Sequence, residues 1–447
     1  RMIENQYIDI FTQYRDKIDA KSLSGMNSLR DKALNIFKEQ GFPTKKMEDY
    51  LYLDVAAEFL PDFALNINRL PFTGNPYVAF RCEIPNLTTN LYFVLNDIFH
   101  EEHKPKVNYP SGVFVGSFKH FAEEKPEVFS KYYGQIAEMD KNGIVAFNTM
   151  CAQDGFVIYV PKGVVVEEPI QLINILKSEF NSLVNRRILI IAEDDAQVKL
   201  LICDHTVDES QFLATQVTEI FAGRNALVDY YDLEENSDKV TRLTNTFVHQ
   251  LEASNVLINN MTFNTGVSRN NYNVKLSGQH AEAYVCGMVI ADKHQYVDNF
   301  AFLDHLVPHC TSTQLFKYVL QDEATGAFCG RIRVEKDAQK TLAYQSNNNL
   351  CISPNAHMYS KPQLEIYADD VKCSHGLTTG QLDEEALFYL RSRGLSKESA
   401  RLMLMQAFAA GVLEHVRIDR LKERLLDLVE KRFKGESARC GNCAVCK

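Results

Sequence analysis

The chain has 447 residues, of which 45% are hydrophobic and 24% charged, and its formal net charge is −10 at pH 7. This length can bury more than one hydrophobic core, and the composition is that of an ordinary globular protein. The acidic balance argues against a general binder of nucleic acid or of anionic membranes. No apolar run approaches the roughly 18 residues that cross a bilayer, and no signal-peptide pattern opens the chain, so we expect a cytoplasmic protein without a membrane segment.

The N-terminal region, residues 1–75, has the pattern of a helical domain. Leu29 and Phe37 lie on one face of a predicted helix. Gly41 can adopt the left-handed conformation that ends a helix, and Pro43 prevents its continuation.

A mixed connecting segment over residues 76–145 leads to a β-rich core over residues 146–376, and one helix is predicted near residues 118–137. In the core, runs such as Phe156–Val160 and Val198–Ile202 are short and are separated by Gly, Pro, Asn or Asp. Because no helix-length stretch lies between them, a doubly wound α/β fold is excluded.

A weak repeat in the core favours a solenoid. A polar residue followed by alanine recurs about once per solenoid turn, at Asp195-Ala196, Asn225-Ala226, Glu252-Ala253 and His280-Ala281. In a solenoid, Val, Ile and Leu of successive coils would stack into a rod-like core whose two ends need caps. The period is lost in later coils, so a β-sandwich stays an alternative on periodicity alone.

Helical periodicity returns over residues 377–435. Asp383 predicts the start of one helix and Gly394 its end, and Ser396 predicts the start of a second helix that reaches Lys434. The two helices are interpreted as a hairpin. Their apolar stripes exceed what one antiparallel contact needs, which leaves room for a partner.

Two metal-competent side chains lie between the core and the hairpin. Cys373 and His375 are two residues apart, so an extended strand places both on one face. A neutral imidazole suits iron, and a thiolate supplies a softer second ligand. A packed last coil, with the histidine bonded to the backbone, explains the same residues.

The chain has 11 cysteines, eight of them scattered singly. Apart from Cys373, we interpret the scattered ones as small buried hydrophobes. The other three, Cys440, Cys443 and Cys446, lie in a predicted flexible tail over residues 436–447. Their spacing is that of zinc or iron–sulfur ligands without a fourth ligand nearby, and a free terminus with three thiols is the alternative.

Several ordered segments resemble the SufD branch of the SufB/SufD family, scaffold proteins of the SUF machinery for iron–sulfur cluster assembly. The segments are Gly41–Tyr50, Ala152–Ile170, Cys329–Leu350, Pro362–Gly376 and Ala368–Gly394. The resemblance implies a right-handed parallel β-helix flanked by N-terminal and C-terminal helical domains. It also implies a non-enzymatic scaffold that acts with the paralogue SufB and the ABC-type ATPase SufC, and that holds transient iron or a nascent Fe–S cluster.

The resemblance further implies roles for particular residues. His375 and Cys373 would belong to a cluster-assembly interface that SufB completes. SufB-type chains carry His-Glu-Ala where this chain has His375-Gly376-Leu377, and a reactive cysteine about where it has Asn347. We therefore expect this chain alone to be a poor sulfur acceptor.

The helical hairpin would be the SufC docking site, because aromatic and arginine side chains are favoured interface anchors. The candidate anchors are Phe388, Tyr389, Arg391, Arg393 and Phe408. An ordinary C-terminal cap with a solvated charged face is the alternative. Since the chain lacks the Gly-x4-Gly-Lys-Ser/Thr loop, ATP hydrolysis would have to come from a partner.

Two other functions remain open on the residues alone. A β-helix carbohydrate-active enzyme needs convergent acids, but the adjacent pairs Asp194-Asp195 and Asp369-Asp370 point to opposite faces if they lie on strands. A homodimeric metal-delivery protein would use the cysteine tail. In isolation, we also predict a homodimer through the surface intended for SufB.

Overall fold

The computed structural model describes residues 2–79 and 90–435. Strands dominate the described chain, and they wind into a parallel β-solenoid with helices at its N-terminal and C-terminal sides. The predicted solenoid is confirmed, and the sandwich alternative is wrong. Among the described residues, no helix is long and apolar enough to span a membrane.

The N-terminal part of the described chain is mainly helical. It consists of α1 (Met2–Ala20), α2 (Ser24–Asn27), α3 (Arg30–Gln40), a 3₁₀ turn (Glu48–Tyr50), α4 (Val55–Glu58), β1 (Ala64–Leu65) and α5 (Pro76–Ala79). Ala33 and Phe37 are buried on the inner face of α3. Gly41 ends this helix with a φ of 68°, which glycine adopts without strain, so the predicted stop is confirmed.

A short mixed segment leads into the solenoid. It consists of β2 (Leu91–Leu95), β3 (Ile98–Phe99), β4 (Phe114–Ser117), α6 (Phe118–Glu124), α7 (Pro126–Tyr132) and α8 (Gly143–Cys151). The single helix predicted near residues 118–137 is thus two helices. The break occurs at Lys125 because Pro126, the first residue of α7, has no N–H to continue α6.

Successive solenoid strands alternate between two sheets. One sheet contains β5 (Phe156–Val160), β7 (Ser182–Ala192), β9 (Phe212–Ala222), β11 (Val240–Gln250), β13 (Val267–Leu276), β15 (Tyr296–His305), β17 (Thr325–Val334) and β19 (His357–Ile366). The other contains β6 (Ile170–Leu176), β8 (Gln197–Thr206), β10 (Leu227–Glu235), β12 (Asn255–Asn264), β14 (Glu282–Ala291), β16 (Thr311–Leu320), β18 (Leu342–Cys351) and β20 (Lys372–Gly380). Within both sheets these strands pair in parallel, so each coil rests on the coil before it.

The weak sequence repeat marks one corner of the coil. Four residues there have positive φ, and each precedes a fully buried small residue; the four are Asp195, Asn225, Ala253 and His280. Neighbouring corners also bond to each other, since Asn225 Nδ2 donates to Asp195 Oδ1 at 2.8 Å. In the third repeat the turn residue is Ala253 and the buried residue is Ser254, one position later than the pattern predicted.

The interior is only partly the apolar stack that the sequence predicted. A large apolar cluster lines one part of it, but charged side chains fill another. Arg242 donates to Asp204 Oδ2 at 3.0 Å and to Asp232 Oδ2 at 2.9 Å. Arg186 donates to the same Asp204 oxygen at 2.7 Å, and Glu234 Oε1 lies 3.5 Å from Arg242 Nε.

This buried cluster holds three carboxylates and two guanidinium groups, so one negative charge is in excess. Burial alone would raise the pKa of Asp204, but the guanidinium groups of Arg186 and Arg242 hold it at about 2. Burial raises the pKa of Glu234, despite the attraction of Arg242. We infer that Asp204 is the carboxylate of the cluster that stays ionised over the widest pH range.

Amide side chains extend the polar column towards the C-terminal coils. Arg242 Nη2 donates to Asn270 Oδ1 at 3.1 Å, and Asn270 Nδ2 donates to Asn299 Oδ1 at 3.1 Å. Asn299 Nδ2 in turn donates to the hydroxyl of Tyr318 at 2.8 Å. The column therefore links strands of both sheets along the solenoid axis.

Three helices follow the solenoid: α9 (Glu384–Ser392), α10 (Lys397–Leu413) and α11 (Asp419–Phe433). The apolar faces of α10 and α11 pack on the outer face of the second sheet. The prediction of one helix from Ser396 to Lys434 is wrong. The helix is interrupted between α10 and α11 by tertiary contacts. Arg417 donates its backbone N–H to the Tyr231 hydroxyl at 2.8 Å, and its guanidinium donates to Asp229 at 3.2 Å.

The charge cluster gives a stability prediction. Asp204→Asn should lower the free energy of unfolding by about 3–5 kcal/mol, because it leaves two buried guanidinium groups short of a partner. Glu234→Gln should lower it by no more than about 1 kcal/mol, since burial already favours the uncharged form of Glu234, which glutamine resembles. Urea unfolding of both variants at neutral pH measures the difference, and equal losses would contradict the assignment.

The same pair predicts a pH dependence. The pKa of Glu234 is raised in the folded chain, so the stability from this group is present below its unfolded pKa and is lost as pH rises. Between about pH 5 and pH 8, the wild-type chain should therefore lose more stability than Glu234→Gln. Parallel curves would mean that Glu234 is already ionised at the lower pH.

Candidate site at the open end of the solenoid

Among residues 2–79 and 90–435, no strand pairs with the outer side of the last coil of the solenoid. β19 and β20 are the terminal strands of their sheets in the described chain, and most residues of β20 are exposed. The N–H of Lys372 donates to the carbonyl oxygen of Thr341, the residue just before β18, at 2.9 Å. Because N–H direction alternates along a parallel strand, the N–H groups of Cys373, His375 and Leu377 point to the unpaired edge.

His375 and Cys373 lie on the inner side of β20, as the two-residue spacing predicted. Their register partners on β18 are Gln345 and Ala343. Cys373 is half-buried against the small apolar cluster that includes Ala343, and this burial raises the pKa of its thiol. His375 is exposed, and its side chain makes no hydrogen bond within residues 2–79 and 90–435.

The imidazole of His375 is thus not the backbone-bonded histidine of a packed coil. It is exposed at the open end of the solenoid, on the last strand of the second sheet in the described chain. A thiol and an imidazole on one face of one strand are ligands that iron accepts. Within the described part of the chain, however, no group of three or more His, Cys, Asp or Glu side chains is placed to hold a metal ion.

Buried amides form the floor beneath this strand. Gln345 Nε2 donates to Gln314 Oε1 at 3.2 Å, one coil further in. Asn349 Nδ2 donates to Thr379 Oγ1 of β20 at 3.2 Å, so inner side chains of β18 and β20 do reach each other. These residues were not predicted as part of the site, although the polar residues at alternate positions of Gln345-Ser-Asn-Asn-Asn349 indicate a polar inner face.

Asn347 occupies the place where the resemblance puts a reactive cysteine in SufB-type chains. Its side chain is buried, donates to Phe316 O at 3.0 Å and accepts from Ser360 Oγ at 2.6 Å. This amide is part of the floor and offers no nucleophile. That this chain alone accepts sulfur poorly stays a prediction.

The scattered cysteines are mostly as predicted. Cys203, Cys286 and Cys310 are buried, and Cys151, Cys329 and Cys351 are partly buried. Burial raises the pKa of both Cys151 and Cys286 to about 12, which leaves their thiols protonated at neutral pH. Cys82 and the three tail cysteines, Cys440, Cys443 and Cys446, lie outside the described residues.

Four of the five predicted ATPase anchors are exposed on α9 or just after it. Phe388 is 74% exposed and Tyr389 is 55% exposed. Arg391 follows Phe388 by three residues and shares its helix face. The Arg393 guanidinium lies 5.1 Å from the centre of the Tyr389 ring. These residues form an aromatic and basic patch, here called the α9 patch.

Phe408, the fifth anchor, lies elsewhere. It is partly buried on α10 and packs with the apolar cluster between the helices and the second sheet. Lys317 of β16 places its ammonium 4.9 Å from the centre of the Phe408 ring and donates to the Phe408 carbonyl at 2.9 Å. Phe408 therefore fastens α10 to the solenoid, and the α9 patch consists of the other four residues.

The acidic pairs weighed as sugar-cleaving groups lie in corner turns, not on strands. Asp194 Oδ1 accepts from the backbone N–H of Arg224 at 2.8 Å. Asp370 pairs with Lys340 of the coil before it. Asp194, Asp195 and Asp370 thus help to join adjacent coils.

The fold and the open end define a class: a β-solenoid protein whose described part presents an unpaired strand edge with metal-competent side chains and packs C-terminal helices on one sheet. Comparison with known families agrees. Residues 174–408 match the SufBD core domain of the SUF system for FeS cluster assembly, and residues 1–172 match the SufBD protein N-terminal region. The chain belongs to the SufBD family.

Relatives of the chain include proteins named SufD and proteins named only as members of the SufBD family. An iron–sulfur cluster assembly SufBD family protein of Synechocystis is 26% identical over 440 residues, which cover 94% of this chain and 96% of the relative. The iron–sulfur cluster assembly protein SufD of Escherichia coli is 40% identical over 169 residues, 38% of this chain and 40% of the relative. SufD of Bacillus subtilis is 27% identical over 333 residues, 72% of this chain and 74% of the relative.

Proposed function

We propose that this chain is a non-enzymatic, SufD-like scaffold that contributes His375 and Cys373 to an iron–sulfur cluster assembly site shared with a SufB-type paralogue. One observation carries the proposal: the two side chains lie on the inner face of the last coil, at an edge where the described part of the chain places no neighbouring strand. The transient iron or nascent cluster is cargo of the assembly. Family membership and the names of the SufD relatives support the SUF assignment.

The ligand count favours a shared site. An imidazole and a thiolate supply two ligands, whereas iron–sulfur clusters and structural metal sites commonly take four. A second scaffold chain docked at the open edge would bring its own ligands against His375. The site would then exist only in the assembled pair, which limits where iron or a cluster can be held.

The edge itself favours a partner of the same architecture. Unpaired strand edges are ready templates for pairing with another chain, and proteins normally cover or blunt them. Here the edge is flanked by exposed aromatic side chains, with Tyr344 at 50%, Tyr359 at 40% and Tyr367 at 60% exposure. Another solenoid can continue both sheets across this end, and in isolation a second copy of this chain can do the same.

The α9 patch is the proposed contact for the SufC ATPase. Its exposed aromatic and arginine side chains are the types that dominate interface energetics. Helices α10 and α11 pack on the second sheet, so a force applied to the C-terminal helices would be transmitted to the solenoid. Nucleotide-driven movement of SufC could thereby change the spacing of the two scaffolds.

We place this assembly in the cytoplasm. The seven cysteines in the described part of the chain are all free thiols. Free thiols, including the proposed ligand Cys373, persist in a reducing compartment.

The site proposal predicts the result of a single substitution. His375→Ala, co-expressed anaerobically with SufB and SufC, should leave the complex assembled but with several-fold less iron and visible absorption, because a ligand is missing. His357→Ala is the matched control, since His357 is also an exposed histidine of the last coil, at the start of β19. Undiminished loading of the His375 variant would show a structural histidine and would direct attention to Cys440, Cys443 and Cys446.

The edge proposal predicts an effect of proline. The N–H of Leu377 faces the unpaired edge, so Leu377→Pro removes a donor needed by an added strand and none used by β18. This variant should abolish homodimers of the isolated chain and weaken SufB binding at least tenfold. Leu377→Ala keeps the N–H and should bind normally; light scattering and titration calorimetry measure both. Equal binding by the two variants would refute strand pairing at β20.

The α9 patch can be tested with two surface changes. Phe388→Asp should remove SufC from the co-purified complex without shifting the melting midpoint, because the side chain is exposed. Phe180→Asp is the control, because Phe180 has a similar exposure, 70% against 74% for Phe388, and lies far from α9 in the sequence. Retention of SufC by the Phe388 variant would show that α9 is an ordinary solvated cap.

A further inference from the structure

Three register partners form a row on the inner face of the last coils. Gln314 on β16, Gln345 on β18 and His375 on β20 are paired in consecutive steps of the second sheet. The two glutamines are 0% and 2% exposed, whereas His375 is exposed. The row therefore runs from the closed interior to the mouth of the solenoid.

The inner two members of the row are already bonded. Gln345 Nε2 donates to Gln314 Oε1 at 3.2 Å, which orients the Gln345 amide. No residue in the described ranges donates to Gln345 Oε1. Gln345 Oε1 is therefore an available hydrogen-bond acceptor on β18, the strand that pairs with the His375 strand, β20.

The opposite sheet leaves space for this amide pair. A Cβ atom added at Gly330 of β17 would lie 2.2 Å from Gln345 Nε2 and 2.6 Å from Gln314 Oε1. Any side chain at Gly330 would displace the pair. The absence of a side chain there is what allows the two amides to occupy the interior.

The distance between neighbouring strands suits one more bond in the row. Adjacent strands are about 4.8 Å apart, which glutamine and histidine side chains can bridge. On the same two strands, four residues further along, the register partners Asn349 and Thr379 make such a side-chain bond at 3.2 Å.

We propose that Gln345 is a positioning residue for His375 in the assembled site: the imidazole, which is unbonded in the described part of the isolated chain, turns inward so that Gln345 Oε1 accepts the N–H of one ring nitrogen and the other, unprotonated nitrogen is presented to iron. Metal-binding histidines usually donate their second N–H to a carboxylate or carbonyl oxygen, which fixes the tautomer and ring orientation. The inference rests on the proposed role of His375 as a ligand. It adds the group that selects which nitrogen binds.

The test compares Gln345→Met, which has similar length and no comparable acceptor, with Gln345→Glu, which keeps an acceptor. In the latter, Gln314 can turn its amide and donate through Nε2, which is buried without a hydrogen bond. Asn348→Ala is the matched control, because Asn348 bonds to Thr378 at 2.7 Å on the outer face of the same two strands.

Two readouts are used. Solid-state NMR of the iron-free complex with SufB and SufC, in which only this chain carries ¹⁵N-labelled histidine, reports the tautomer, and the signal is assigned by difference from His375→Ala. The iron content of the same complex after loading reports iron binding. Wild type, Gln345→Glu and Asn348→Ala should show one tautomer of His375. Gln345→Met should show both tautomers and retain about tenfold less iron.

A single unchanged tautomer and normal loading in Gln345→Met would overturn the inference. If His375→Ala itself loads normally, the proposed function fails instead, and the tautomer result still decides whether Gln345 holds the ring. Should Gln345→Met fail to fold, Gly330→Ala disturbs the same amide pair from the facing sheet. It must then give the same mixture of tautomers.

Discussion

A parallel solenoid leaves one ladder of backbone groups unsatisfied at each end, and this constraint organises the molecule. At the N-terminal end the chain covers its own ladder: β4 pairs antiparallel with β5, and β3 with β2, which closes both sheets with turned-back strands. At the C-terminal end the chain leaves the solenoid after β20 and packs its helices on the side of the second sheet. The end with metal-competent side chains is thus the end that still needs a neighbour.

The polar column has a different relation to this end. Its charged part, centred on Arg242, is buried among β8, β10 and β11, and its amide part continues to Tyr318 on β16. Beyond that, the buried rings of Phe316 and Phe328, 4.7 Å apart, separate it from the amide floor around Gln345. The inner column therefore specifies how the coils pair, since a one-residue slip would separate its ion pairs. The amide floor around Gln345 lies next to His375, and its role is therefore assigned to the proposed site.

Features that depend on neighbouring residues in the sequence were predicted correctly. Gly41 predicted a helix end because only a left-handed residue fits there, and the spacing of Cys373 and His375 predicted a shared face because strands alternate. Prediction from the sequence failed where tertiary contacts decide. The break before α11 depends on Arg417 meeting Tyr231 and Asp229, which are nearly 190 residues away, and the burial of Phe408 depends on Lys317. The charged interior was also missed, because Asp204 and Arg242 look like surface residues until the coils bring them together.

The central claim is that an imidazole nitrogen of His375 binds iron in the assembled complex. The most direct measurement is pulsed electron paramagnetic resonance of the reduced cluster, with only this chain carrying ¹⁵N-histidine and SufB and SufC at natural abundance. The account predicts a ¹⁵N hyperfine coupling of a directly bound nitrogen, and its loss in His375→Ala. A cluster that forms with no such coupling would contradict the account, because the exposed histidine at the open edge would then not be a ligand.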